Sequence, residues 1–386
     1  MRKFTALLLV VVLVIAMVGC TKPSSTDTSS EDVIYIGMLA SLTGGYATQG
    51  EYAKNSAEIA VEEINEAGGV LGKKIQVIIE DDLGTDEGAI NAYNKLASND
   101  KIVGIIGSGY STLNLAVNSV VERSEILTTA QGSNDKLGAL NNPWHFQMRT
   151  ADQIQVTAGI RYAVEVLGLK EWAVLNATDA ASVGQAQVTT STLSEYGITP
   201  KLAISYNEGT QDFTSQLVQI QQAGVEAVFS AGNAVEGALL MTQYRQLGIE
   251  AAVVGSNAYS SAQMLELAGV EVMNGVYSAT HYTPETPREV GQAYTKAYFD
   301  KTGVVADAAG ALVYDHVYMI AEAVKLAEST DRTAVRDAFI TIENFDGAVT
   351  DYTVTNVGGS GTSAMIVQNE DGNKKVIDII SVVPNK

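Results

Sequence analysis

From Val33 onward, short apolar runs alternate with stretches whose apolar residues recur at helical spacing, and glycine-rich turns separate the two. Residues 33–39 read as a strand and Thr43-Gly44-Gly45 as a turn. Ala53, Ala57, Ile59, Ala60, Val61 and Ile64 then fall near one helix face, which Gly68-Gly69 ends. Strand 75–80, helix 88–98, strand 102–106 with its helix, and strand 126–130 follow. Past Arg149 the pattern starts again: helix 153–167, strand 172–176, helix 183–196, strand 201–206, helix 212–223, strand 227–230, helix 234–247 and strand 252–255. Such alternation predicts an α/β fold of parallel sheets flanked by helices and joined by right-handed crossovers. Two successive sets predict two Rossmann-like lobes. A ligand of such sheets binds outside the carboxyl ends of the strands, so the expected site is a cleft between the lobes. Near the C-terminus, runs 364–368 and 374–380 flank Asp371-Gly372, which predicts a β-hairpin instead of a further crossover.

The stretch IVGIIGSGYS, 102–111, is where a strand should become a binding surface. Ile102, Val103, Ile105 and Ile106 suit a strand buried on both faces, and Gly107, Ser108 and Gly109 break it. Ser111 and Thr112 then open the helical stretch STLNLAVNSVVERS. Hydroxyls and free N–H groups at a helix N-terminus suit an anion such as a carboxylate. Gly107 and Gly109 also match two positions of a dinucleotide fingerprint, but Thr112 occupies the third, which weakens the nucleotide reading. A turn without ligand is the plain alternative.

The first nineteen residues read as an export signal. Arg2 and Lys3 form its basic end, and the apolar segment 6–18 is too short to span a bilayer comfortably. Gly19-Cys20 resembles a bacterial lipoprotein cleavage box, with Met17 in place of the commoner leucine. Cys20 is the only cysteine, so no intrachain disulfide can form. Lipidation at Cys20 is expected, followed by a flexible tether over 20–32, TKPSSTDTSSE being devoid of packing residues. About 350 residues remain, which favours two domains. The formal net charge is −20, or −22 once Arg2 and Lys3 leave, and no basic cluster interrupts it. That excludes nucleic acid as a partner, since polyanion binding needs local lysine and arginine.

Other chemistry has little support. His145, His281 and His316 are the only histidines and show no metal-ligand spacing, and there is no GxSxG elbow. His145, beside Trp144 and Phe146, reads as structural. Asp81 and Asp82 could pass for a glycosidase pair, yet adjacent strand residues point to opposite faces. One of them is expected to tie down a turn. No catalytic residue, metal or cofactor is expected, and the chain does not read as an enzyme.

The string from Ile34, IYIGMLASLTGGYATQGEYAKNSAEIAVEEINEAGGVLGKKIQVIIEDD, resembles the start of type I solute-binding proteins of ABC transporters, above all the leucine/isoleucine/valine-binding group. Phe146-Gln147-Met148-Arg149-Thr150 with Asp152, and Leu312-Val313-Tyr314-Asp315 with Ala321-Glu322-Ala323, are further blocks of that kind. The resemblance implies two lobes joined by three hinge crossings, near Ala151, His281 and Asp346. Residues 33–151 with 282–346 would form one lobe, and 152–281 with 347–386 the other. It also implies a lipid-anchored, extracytoplasmic monomer, in the periplasm or on the outer face of the cytoplasmic membrane. Such a protein captures an amino acid or related small carboxylate or amide and delivers it to a membrane permease. A sensor for a membrane signalling partner shares every one of these features; a lipid-anchored hydrolase would need a nucleophile and base that the sequence does not offer.

Carried over position by position, Ser111 with Thr112 matches the group holding the ligand carboxylate. Gln131 falls at a backbone-contact position, Ser133 at a ligand-contacting hydroxyl, and Tyr314 at a tyrosine lining the cleft. These fit a carboxylate site built without a cation. Tyr46 and Tyr110 could line the pocket or merely pack. The other half departs from the pattern: Asn257 stands where a glutamate pairs with the ligand ammonium, and Asn233 where a tyrosine contacts it. A buried ammonium without a carboxylate is costly. The expectation is therefore a non-amino-acid ligand, or an amino acid whose ammonium meets Asp179 or Asp152. A solvated turn position for Asp179 and a helix N-cap for Asp152 are the structural alternatives.

Overall fold

The computed structural model describes residues 33–354 and 363–382. Its first sheet holds β1 (Val33–Ala40), β2 (Lys74–Asp81), β3 (Ile102–Ile106), β4 (Leu127–Ala130) and β5 (His145–Gln147), in the order β2-β1-β3-β4-β5. The pairings β1–β3, β3–β4 and β4–β5 are parallel. Every residue of β3 is buried, as its unbroken apolar run requires of a strand covered on both faces. The second sheet is built from β6 (Trp172–Ala177), β7 (Leu202–Tyr206), β8 (Ala227–Ala231), β9 (Ala252–Gly255) and β10 (Tyr277–Thr280), all parallel. A small antiparallel pair, β11 (Phe345–Asp346) and β12 (Asp351–Tyr352), stands apart. The hairpin of β13 (Ser363–Glu370) and β14 (Asn373–Ser381) completes the second sheet, giving β14-β13-β10-β9-β8-β6-β7. Its turn residues Asp371 and Gly372 both have positive φ, 50° and 84°, as a two-residue hairpin of this kind demands.

Each sheet is sandwiched by helices. In the first lobe Ala47–Glu66 and Ala308–Ala327 pack on one face, burying Ala57, Ile64, Val313, Val317 and Ile320 against Ile36, Met38 and Ile106. Each fully buried Val, Ile or Met side chain there contributes roughly 1.5–3 kcal/mol. Asp86–Ala97 and Ser111–Ser124 cover the opposite face. The Ala47–Glu66 helix ends before Gly68 and Gly69, at φ 104° and 73°; a Cβ at Gly69 would lie 2.0 Å from the Lys73 carbonyl oxygen, so only glycine fits.

The third crossing lies later than expected. Ala348, Val349, Tyr352 and Val354 remain in the first-lobe core. Asp315 holds them there: its carboxylate accepts from Ala348 N at 2.6 Å, Val349 N at 2.9 Å and the Tyr352 hydroxyl at 2.8 Å. The chain therefore packs with the first lobe beyond Asp346, as far as Val354, and the described residues from Ser363 belong to the second sheet. Three helices, Glu289–Thr302, Ala308–Ala327 and Arg332–Phe339, fill the region for which no elements were expected. The export signal, Cys20 and the tether lie outside the described residues.

Candidate functional site

The carboxyl ends of both sheets face one cleft, a cavity of about 360 Å³. On the first lobe the β3 turn builds its wall. Gly107 is obligatory, since a Cβ would sit 2.3 Å from Asn114 Oδ1. Asn114 Nδ2 donates to the Ser108 and Tyr110 carbonyls, both at 2.7 Å, which locks the loop. The helix that follows starts at Ser111, and its N-cap residue Tyr110 supplies no side-chain cap. Its first turn, Ser111-Thr112-Leu113, lines the cavity, so the dipole and the N–H groups there suit an anion. Ser111 Oγ accepts from Asn134 N at 3.2 Å. Gln131 and Ser133 line the same wall, although Gln131 Nε2 is held by the Gly107 carbonyl at 2.6 Å.

Tyr46 and Tyr110 both reach the cleft and stack on each other, ring centroids 3.8 Å apart. The aspartate pair Asp81-Asp82 fixes this corner. Asp82 Oδ1 accepts from the Ser41 hydroxyl at 2.5 Å and Gly84 N at 2.9 Å. Asp81 accepts from Leu42 N, Leu83 N and the Thr43 hydroxyl. Both residues, instead of one, tie down neighbouring turns.

Across the cleft, Asp179 does two things. Its Oδ1 caps the helix Ala180–Glu195, accepting from Ala181 N and Ser182 N at 3.0 Å, and the residue lines the cavity. Asn233 caps Ala234–Gln246 in the same way, its Oδ1 accepting from Val235 N and Glu236 N at 3.1 Å. With that oxygen occupied, Asn233 turns only donors toward a ligand. Asn257 lines the cavity from the short helix after β9.

Two expectations fail. Tyr314 does not line the cleft. Its hydroxyl donates to Glu63 at 2.6 Å, beside Tyr318, and its ring packs on Tyr294 within the first-lobe core. Leu312 lines the cleft instead, and two residues along a helix turn the side chain by about 200°. Asp152 is not the N-cap of its helix, a position held by Ala151, and it is turned away from the cleft. Its Oδ1 accepts from Gln185 Nε2 at 2.6 Å, and burial pushes its pKa up to about 7.

The cavity also holds charges that sequence reasoning did not select. Arg149 lines it beside Gln131 and Ser133, so this wall is not free of cations. Burial pulls the Arg149 pKa down while the Asp152 and Asp307 charges oppose that. Asp86, Asp179 and Glu208 also line the cavity, close enough for the charges of the two aspartates to act on Glu208. Burial raises the Glu208 pKa, followed by the Asp179 and Asp86 charges. The Tyr46 hydroxyl faces Glu208, and burial with the Glu208, Asp179 and Glu236 charges raises its pKa. Glu208 lies in an exposed turn and Asp86 opens a helix, positions that read as ordinary solvated acids until the lobes are brought together. The lobes also touch directly: Gln49 Nε2 donates to Gln263 at 2.9 Å, and Ala262 N to Asp307 at 3.0 Å.

A family model described as periplasmic binding protein matches residues 33–374. The Leu/Ile/Val-binding protein homolog 3 of Brucella melitensis is 28% identical over 304 residues, covering 78% of this chain and 81% of the relative. The Leu/Ile/Val-binding protein BraC3 of Rhizobium johnstonii is 30% identical over 254 residues, 64% of this chain and 68% of its own length. Among solved structures, the leucine-binding protein LivK of Thermotoga maritima superposes with a TM-score of 0.83 at 24% identity, covering 90% of this chain and 99% of that one. LivJ of Streptococcus pneumoniae, solved with isoleucine, gives 0.83 at 21%, with the same coverage. The two-lobed fold, the interlobe cleft and these likenesses agree: the chain belongs to the type I periplasmic binding proteins, in the branched-chain amino acid family.

Proposed function

We propose that this chain is the substrate-binding component of an ABC importer and captures an amino acid between its lobes. One observation carries the reading: the cleft is polarised. The uncapped N-terminus at Ser111 and Thr112, with Ser133 and Arg149, favours a carboxylate on the first lobe. Asp179 and Glu208 on the second lobe, joined by Asp86 from the first, favour an ammonium where they gather. Asp179 takes the part of the acid that Asn257 cannot supply. Tyr46 and Tyr110 offer an aromatic surface to the ligand side chain. The lobes are taken as 33–151 with 282–354, and 152–281 with 363–382, hinged at the crossings. Lipidation at Cys20 would hold the monomer outside the cytoplasmic membrane, near its permease, and the kinship with periplasmic binding proteins supports that location.

A thermal-shift panel tests the ligand class. Leucine, isoleucine, lysine and glutamate are set against amine-free carboxylates such as benzoate. An amino acid at a hundred times its Kd should stabilise the fold by about 2.7 kcal/mol. Equal stabilisation by the amine-free acids would overturn the zwitterion reading. Uptake of the selected amino acid by cells with and without the protein then separates import from sensing.

A further inference from the structure

Beneath the cleft lies a second, very small cavity of about 10 Å³, lined by Asp152, Gln155, Gln185, Ser256 and Asn257 among others. Gln185, Ser256 and Asn257 also line the main cleft, so they form the partition between the two spaces. Two polar atoms on this small cavity's residues are fully buried and have no partner in the protein: the Asp152 carboxylate oxygen Oδ2 and the Asn257 amide nitrogen Nδ2. One can only accept while ionised, the other can only donate. Leaving both unmet costs roughly 1–3 kcal/mol each. Val156, Phe229, Val254 and Ala279 make much of the remaining wall apolar, so the two unmet atoms are the groups a water would bridge, and a space of about one probe sphere is the size that holds a single one.

We propose that Asp152 is the positioning residue for Asn257, bridged to it through one buried water, and that this bridge turns the Asn257 carbonyl oxygen toward the ligand. The inference rests on the amino-acid reading above and deepens it, because it makes Asn257 an acceptor for the ligand ammonium beside Asp179. The alternative rotamer would set the Asn257 oxygen toward the Asp152 carboxylate, acceptor against acceptor. Only a protonated Asp152, able to donate, tolerates that orientation. The protonation state of Asp152 therefore selects whether the cleft meets an acceptor or a donor at position 257. The neighbours of Asp152 support control by this one group. Gln185, from the helix Ala180–Glu195, holds Oδ1. Arg149 and the Ser133 side chain favour the ionised form and Asp135 opposes it. His281, which follows β10 and contacts Gln155 Oε1 at 3.2 Å, has its pKa driven well below the usual range by burial and stays neutral.

The test is NMR of the whole chain carrying 15N-labelled asparagine side chains, the Asn257 signal being assigned by its loss in Asn257→Ser. The Asn257 Nδ2 protons should exchange with solvent at least tenfold more slowly than those of surface asparagines. Their shift should titrate with a midpoint near the raised Asp152 pKa of about 7. Asp152→Asn, which keeps an oxygen for Gln185, should abolish that titration. Exchange at the surface rate, no titration in the wild type, or a titration that survives Asp152→Asn would each overturn the proposal. The wild-type titration alone decides the matter should the variant fold poorly. No ligand is needed, so the two readings fail separately. A titrating Asn257 in a protein that binds no amino acid sinks the functional reading alone; amino-acid binding with a silent Asn257 sinks the bridge alone.

Discussion

Asp179→Asn tests the charge proposed to meet the ligand ammonium without disturbing the frame that holds it. In the wild type Oδ1 accepts from Ala181 N and Ser182 N, and asparagine caps helices about as well as aspartate. The substitution keeps that oxygen and replaces only the outer carboxylate oxygen, so the loop and helix stay in place. The loss of negative charge at the helix N-terminus costs about 0.3–1 kcal/mol of stability. The ligand loses more. A bare Coulomb estimate for charges 4 Å apart at an effective dielectric of 20 is about 4 kcal/mol, but Asp179 is only partly buried and water screens it. A charge-assisted hydrogen bond of about 1.5–3 kcal/mol is the better measure. Amino-acid affinity should then fall by roughly ten- to a hundredfold. Titration calorimetry of the panel's best amino acid against wild type and variant reads this directly. Asp179→Ala serves as the control, since it removes the cap as well and should cost about 0.5–2 kcal/mol in urea unfolding. An Asp179→Asn protein that binds the amino acid within twofold of wild type would refute the assignment of the ammonium to this carboxylate.

Tyr314→Phe should leave ligand affinity unchanged, because the hydroxyl serves Glu63 and not the cleft, while urea unfolding shows a loss of about 1 kcal/mol. The raised Asp152 pKa has a defined sign. Between pH 4 and 7 the folded state keeps a proton that the unfolded state releases, so this group's contribution falls as pH rises toward 7. Wild-type stability relative to Asp152→Asn should drop by about 1.4 kcal/mol per pH unit across that window, and a pH-independent difference in urea unfolding would contradict it. Closure of the hinge predicts a smaller radius of gyration by small-angle scattering with saturating amino acid; an unchanged curve under verified binding would count against it.

Local rules made much of this protein legible from its residues. A strand buried on both faces needs a run like Ile102-Val103 with Ile105-Ile106, a helix face needs the spacing of Ala53, Ala57, Ala60 and Ile64, and a two-residue hairpin turn needs Asp371-Gly372. From that alternation the parallel sheets, the two lobes and the strand-to-helix turn before Ser111 all follow, because each depends on backbone geometry within a few residues. What tertiary structure alone decided was which side chains meet. Tyr314 and Leu312 share a helix, and only the rotational phase of that helix against the first sheet sends Leu312 to the cleft and Tyr314 to Glu63. The late third crossing depends on Asp315 capturing backbone N–H groups more than thirty residues away. Asp86, Arg149 and Glu208 look like ordinary surface or helix-end charges along the chain. They line one cavity because two sheets present their carboxyl ends to one space, and no spacing in the sequence encodes that distance.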